Sequence, residues 1–268
     1  MHPPDDAVYV MSNELAEMTS RISKIRSSKA RFAFANNSVD MTAFYSIHQH
    51  FVKMAPDAVK KQIYILNKAT YVLVASLWEA YCEDVLTESL TLLVDCVPTW
   101  KQLPQRLARD IAKELRKDET LLAPWELADD GWRQYVKDRQ LARSYERNYD
   151  FSGPKSANVE RYFSEFIGVA DIRDAWRAKE GQDICVRLDN HLDTRNSIVH
   201  QISPGPTVFK REVKDFYDIV RRLIRCTDQV MDEMLKKTTG KSRWISYVKS
   251  GPVDMVDRAP AIDISDEA

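Results

Sequence analysis

Arg195, Asn196 and His200 stand together in the stretch RNSIVH, and their side-chain types suit chemistry on a phosphate. A guanidinium holds non-bridging phosphate oxygens through its planar fork, an amide orients them, and an imidazole, which ordinarily titrates near ~6.5, moves a proton at neutral pH. The three close the stretch 181–206, GQDICVRLDNHLDTRNSIVHQISPGP, in which Ile184, Leu188 and Leu192 recur at helical spacing and Ile198 and Val199 extend the apolar side. The spacing predicts a helix over 181–202, stopped by Ser203-Pro204-Gly205-Pro206. Each helical residue turns by ~100°, so Asn196 and His200 lie one above the other while Arg195 lies ~140° from His200. A single straight helix does not bring Arg195 and His200 together; either the helix distorts near its stop or two copies of it face each other. The same six residues also suit a plain helix C-terminus, with Arg195 and His200 facing the last carbonyls and Asn196 bonding to nearby backbone.

The rest of the chain must position these groups, and its pattern is helical. It has 268 residues, 44% of them hydrophobic, enough for a sizeable core, and only 7 glycines. Lys and Arg number 39 against 40 Asp and Glu, a net charge of −1 that excludes a protein coating nucleic acid non-specifically and leaves room for a small basic cleft. Cys82, Cys96, Cys185 and Cys226 fall in apolar helical patterns without C-x-x-C or paired histidines, as expected of buried thiols in a reducing compartment. There is no signal-peptide pattern, and the apolar run around Tyr71–Trp78 is far shorter than the ~20 residues of a membrane span. The expectation is a cytoplasmic protein without membrane contact.

In chain order, Leu15, Met18, Ile22 and Ile25 predict an amphipathic helix over 6–30, broken by Asn36-Asn37-Ser38. A shorter helix from Ser38 follows, with Phe44, Ile47 and Phe51 inward and a stop before Pro56; its His48 and His50 lie on different faces and read as polar positions of a packing helix. Residues 57–97 form the longest periodic stretch, with Ile63, Leu66, Leu73, Leu77 and Tyr81 on a broad apolar face. Glu79 within it is either a surface carboxylate or an inward one that pairs with Arg195 or orients His200, since a buried carboxylate requires a partner. Pro104 at a first helical position starts a helix to about Lys117, and a second runs from about Trp132 to Asn148. The second carries Arg133, Lys137, Arg143 and Arg147 among Trp132, Tyr135, Tyr145 and Tyr149: a surface for RNA phosphates and bases, or a solvated face, as Asp138 and Glu146 in the same run suggest. Short helices follow at 156–167 and 171–178. Thr207 then caps a long helix to 238 with Lys236 and Lys237 at its end and Gly240 beyond it. Residues 241–250 make a short aromatic segment, and 250–268 an acidic, proline-bearing tail. No strand alternation, glycine-rich phosphate loop or metal-ligand spacing is visible, so the expected class is all-α, with no cofactor and no metal.

Four stretches together resemble one family. RNSIVH fits the R-x4-6-H signature of HEPN domains, in which a polar residue, often Asn, follows the Arg. LVASLWEAYCEDVLTESL (73–90) is similar to the upstream W-E-x-Y helix of the RiboL-PSP-type HEPN group, SGPKSANVERYF (152–163) to its linker and short helix, and 206–238 to its closing helix, in the same order. The resemblance covers roughly 57–238. It implies a HEPN-like bundle over 57–240 with a helical insertion at 104–148, preceded by N-terminal helices (1–56) and followed by a C-terminal segment and tail (241–268). It further implies metal-independent endoribonuclease activity in a cleft built by a homodimer from both motifs, with Arg195, Asn196, His200 and an inward Glu79 catalytic. A toxin or antiphage-defence role, with an antitoxin or defence-system partner, is also implied. The competing expectation is a HEPN bundle that binds RNA, nucleotide or a protein partner and cuts nothing.

Overall fold

The computed structural model describes residues 25–38, 57–117, 125, 127–147, 154–200, 206–240 and 245–247, with the side chains of 25–27, 57–63, 140–147 and 245–247 excepted. Residues 6–24 of the helix expected over 6–30, the helix expected from Ser38 to before Pro56 beyond Ser38 itself, the Ser203-Pro204-Gly205 stop and the acidic tail lie outside these residues. What is described is a helical bundle, all-α apart from one short ladder. Its elements are β1 (Ile25–Ser27), α1 (29–38), α2 (Asp57–Cys96), α3 (Gln105–Leu115), α4 (Gly131–Arg147), α5 (Ser156–Ile167), α6 (Ile172–Glu180), α7 (Ile184–Val199), α8 (Lys210–Thr239) and β2 (Ile245–Tyr247).

Two long helices carry the rest. α2 has 40 residues and α8 has 30. Asn67 Nδ2 donates to the Val208 carbonyl at 3.1 Å, the Tyr71 ring packs on Phe216 with centroids 4.9 Å apart, and the Tyr81 hydroxyl donates to the Ile224 carbonyl at 3.1 Å. The paired positions rise together, so the two helices run in the same direction. Between them lie Val74, Trp78, Val85, Phe216, Val220, Leu223 and Ile224, all withdrawn from solvent. The first turn of α8 differs from the expected Thr207 cap: the helix begins at Lys210, and the Glu212 carboxylate accepts from the Phe209 N–H at 2.7 Å. Gly240 closes the helix in the left-handed region at φ 77°, as its sequence position suggests.

The N-terminal reading needs correction. Where an amphipathic helix was expected through residue 30, residues 25–27 form a strand antiparallel to β2, with Ile25 opposite Tyr247 and Ser27 opposite Ile245. Helix α1 then starts at 29 and continues through Asn36-Asn37-Ser38, the expected break. The cause is Ser28, whose Oγ accepts the Arg31 N–H at 3.0 Å as an N-cap while its own N–H donates to Asp228 Oδ2 at 3.0 Å. Asp228 lies on α8, 200 positions away, so local periodicity carries no trace of this anchor. Glu88 of α2 accepts the Lys29 N–H at 2.8 Å and completes the seat. The cysteines follow expectation at Cys82, Cys185 and Cys226, which are buried, whereas Cys96, in the last position of α2, is half-buried.

Candidate active site

The apolar face of α7 runs out where the motif begins. Ile184, Cys185, Leu188 and Leu192 are buried, the residues from Asp193 to Ile198 are exposed or half-buried, and Val199 and His200 are exposed. The helix ends earlier than expected: Val199 is its last residue, and His200, at φ −82° and ψ 6°, donates its N–H to the Asn196 carbonyl at 3.0 Å.

The structure turns Glu79 towards the motif. Its neighbours Trp78 and Tyr81 are 0% and 1% exposed in the core, and Glu79, ~100° round the helix from Trp78, reaches α7. Glu79 Oε2 lies 3.9 Å from Arg195 Nη2, and Arg195 Nη1 donates to Asn196 Oδ1 at 3.1 Å. The side chains of Arg195 and Glu79 keep only 16% and 22% of their exposure, so their attraction is screened less than at an open surface. Arg195 Nε is buried and has no hydrogen-bond partner among the described residues. Because Nε has no accessible surface, donor capacity for an incoming oxyanion lies on the Nη atoms of this guanidinium. One chain thus assembles Arg195, Asn196 and Glu79, and among the described residues no hydrogen bond joins them to the His200 ring.

Two further contacts hold the loop before α5 against α7. Ser156 gives its N–H and its hydroxyl to the Asp189 carboxylate at 2.7 and 2.9 Å, and Lys155 pairs with Asp193 at 2.6 Å.

The structure adds His191, which sequence reasoning passed over. It lies one helical turn before Arg195 and one after Arg187, a spacing visible in the sequence but mute without the opposite helices. Its Nδ1 is 2.6 Å from the Tyr71 hydroxyl and its Nε2 is 3.1 Å from Asp215 Oδ2, while its ring stacks on Phe216 at 4.8 Å and 11°. Burial pushes the Tyr71 phenol far above its ordinary range, so it remains a donor, and a neutral imidazole with its proton on Nε2 satisfies both partners. This triad ties α7 to α2 and α8 one turn from Arg195. Burial also lowers the His191 pKa, against the pull of the Asp215 hydrogen bond and charge and of Glu212, and with Arg187 adding to the depression. The unfolded chain therefore binds this proton more readily than the folded one. Stability should fall as pH drops from ~6.5 towards the lower folded value, and be fully present above that window. The stability advantage of the wild type over His191→Gln, measured by urea unfolding between pH 7.5 and 5, should shrink on acidification; parallel curves would remove the triad from the pH response.

The four expected RNA contacts on α4 fare differently. Arg133 donates from its Nη atoms to the Val94, Val97 and Pro98 carbonyls and from Nε to Asp130 at 2.9 Å, so it caps the C-terminus of α2. Lys137 pairs with Asp95 at 2.5 Å. For Arg133 the reason is the end of a 40-residue helix, whose orphan carbonyls need donors. Of the interleaved aromatics, Trp132 is buried and Tyr135 packs against the core, while the side chains of Tyr145 and Tyr149 are outside the described ones. Arg143 and Arg147 lie on α4, and their side chains are outside the described ones. Among the described residues no three of His, Cys, Asp and Glu converge in a metal-holding group, and no helix is long and apolar enough to cross a membrane.

Comparison with known proteins finds a family model, RiboL-PSP-HEPN, that matches residues 43–233. No curated protein and no solved structure matches the chain.

Proposed function

Because the chain belongs to the RiboL-PSP-HEPN family, we propose that it is a metal-independent endoribonuclease that cuts RNA by attack of a ribose 2′-hydroxyl on the adjacent phosphate. The observation that carries this reading is the Arg195 guanidinium, largely buried beside Glu79 and Asn196, on the helix that ends in an exposed imidazole. In the step proposed, His200 takes the 2′-hydroxyl proton as the oxygen attacks phosphorus, and the 5′-oxygen leaves with a proton from a second acid. Arg195 stabilises the charge gathering on the non-bridging oxygens, Asn196 orients them, and Glu79 holds the guanidinium in place. Arg195 and His200 share no hydrogen bond among the described residues and stand ~140° apart on a regular helix, which supports a homodimer in which Arg195 of one copy meets His200 of the other, the partner imidazole then being the second acid. We extend the reading to a toxin or antiphage-defence effector acting in the cytoplasm, with an antitoxin or defence-system protein as its partner.

Products from purified protein and end-labelled RNA should carry 2′,3′-cyclic phosphate and 5′-hydroxyl ends. The rate should survive EDTA, and a 2′-O-methylated copy should stay intact. Products with 3′-hydroxyl and 5′-phosphate ends would sink the mechanism. That no hydrogen bond joins Arg195 to the His200 ring among the described residues also favours a second reading, a bundle that binds RNA, nucleotide or protein without cutting. Retention of intact RNA by the pure protein, whatever the substrate pool, would select it.

A further inference from the structure

Among the described residues four elements pack on α8, and the face they leave is basic. α2 packs on it through Tyr81 and Tyr71, α6 through Trp176, whose Nε1 donates to Thr227 Oγ1 at 3.0 Å, and α7 through Arg187, paired with Asp215 at 2.5 Å. α1 covers a further side, with Ser28 on Asp228 and Phe34 stacked on Tyr217 at 6.3 Å. Among the described residues the face that these elements leave carries exposed Arg211 and half-buried Lys214, Asp218, Arg221 and Arg225, spaced by three and four so that they form one line ~21 Å long.

Residues 210–225 hold Lys210, Arg211, Lys214, Arg221, Arg222 and Arg225 against Glu212, Asp215 and Asp218, a local +3 in a chain of net −1. Two of the three carboxylates are turned away from the line, Glu212 onto the Phe209 N–H and Asp215 onto Arg187 and His191. Only Asp218 remains, held by Lys214 at 2.9 Å. The Arg211 guanidinium lies 5.6 Å from the Phe209 ring centre and that of Arg221 5.6 Å from Tyr217, and neither meets a carboxylate among the described residues. Arg221 Nε is buried without a hydrogen-bond partner. Guanidiniums backed by aromatic faces lose little freedom on binding and keep their N–H edges for oxyanions.

We propose that this face of α8 is a track for the phosphates of a single RNA strand, led by Arg211, Lys214 and Arg221, with Phe209 and Tyr64 stacking bases at its N-terminal end. This rests on the reading of RNA as substrate. Phe209 is 43% exposed and Tyr64 37%, and they meet edge to face at 5.9 Å. Exposed rings beside stacked cations fit nucleotides better than an acidic peptide, which has no π-faces to place.

The test is fluorescence anisotropy of a labelled 2′-O-methyl oligoribonucleotide, which cannot be cut, titrated with the full chain over a range of salt. A single strand contributes ~0.7 to the salt slope for each phosphate contact, so Arg211→Gln/Lys214→Gln/Arg221→Gln should flatten it by ~2 and weaken binding at least about tenfold at low salt. Phe209→Ala should weaken binding with the slope unchanged, and Arg143→Gln/Arg147→Gln should leave both near wild type. The exposed single change Arg211→Gln, expected to flatten the slope by ~0.7, keeps the test valid if the triple variant melts early. Wild-type slope and affinity in the triple variant would overturn the proposal. So would preference of the wild type for polyglutamate over the oligonucleotide, which would assign the face to an acidic protein. Because the probe is not cleaved, neither result depends on the product-end experiment.

Discussion

Replacing His200 by alanine should slow RNA cleavage by ~10²–10⁴-fold, the range of a lost general acid or base, and leave the fold intact. His200 is exposed at the last turn of α7 and supplies no core packing, so circular dichroism and melting temperature should hardly move. Arg195→Ala should cost a similar factor by a different route, loss of a donor that follows the charge of the transition state; one donor of that kind is worth ~10²–10³. It also leaves Glu79 without its guanidinium partner, so a small loss of stability should accompany it. Asn196→Ala should cost less than either. A two-fold cleft makes one further outcome specific: mixing Arg195→Ala protein with His200→Ala protein should restore part of the activity, because a mixed pair rebuilds one intact Arg–His combination. Full activity in Arg195→Ala/His200→Ala, free of contaminating ribonuclease, would place the active site elsewhere. Full activity in a protein that sediments as a monomer at working concentration would leave the chemistry standing and remove the dimer.

The contrast between what the sequence showed and what it hid follows from the range of the interactions. The long faces of α2 and α8 and the Gly240 stop rest on contacts a few residues apart, which the 3.6 period exposes. The motif was legible for the same reason, as three chemical groups on two adjacent turns. Ser28 and Asp228, by contrast, are joined across 200 positions, and without that bond nothing local distinguishes a strand ending at Ser27 from another helical turn. His191 shows the same limit: its partners Tyr71 and Asp215 come from two other helices. Arg133 and Lys137 illustrate a third case, in which composition identified cations without saying that the end of α2 needed them.

Trp78→Ala should destabilise the protein by ~3–5 kcal/mol, the usual cost of emptying a buried indole site, and this is a large share of the ~5–15 kcal/mol that holds a typical domain folded. Trp78 is fully buried, with its ring 5.8 Å from Trp176 and 6.0 Å from Tyr81, so the change leaves a void at the junction of α2 and α6. It also strips the Pro154 carbonyl of the indole N–H that donates to it at 3.1 Å. Pro154 adjoins Lys155 and Ser156, which grip Asp193 and Asp189 of α7, and Glu79 follows Trp78 directly. Loosening this corner should therefore reach Arg195 as well as the core. Trp78→Phe separates the two contributions: the ring keeps most of the volume, and the unpaired carbonyl alone should cost ~1–3 kcal/mol. Urea unfolding supplies both numbers, and the proposed cleavage should decline in the same order as stability. A loss below ~1 kcal/mol in Trp78→Ala would show that the site collapses without penalty, and that W-E-x-Y positions Glu79 through the backbone of α2 rather than through its buried tryptophan.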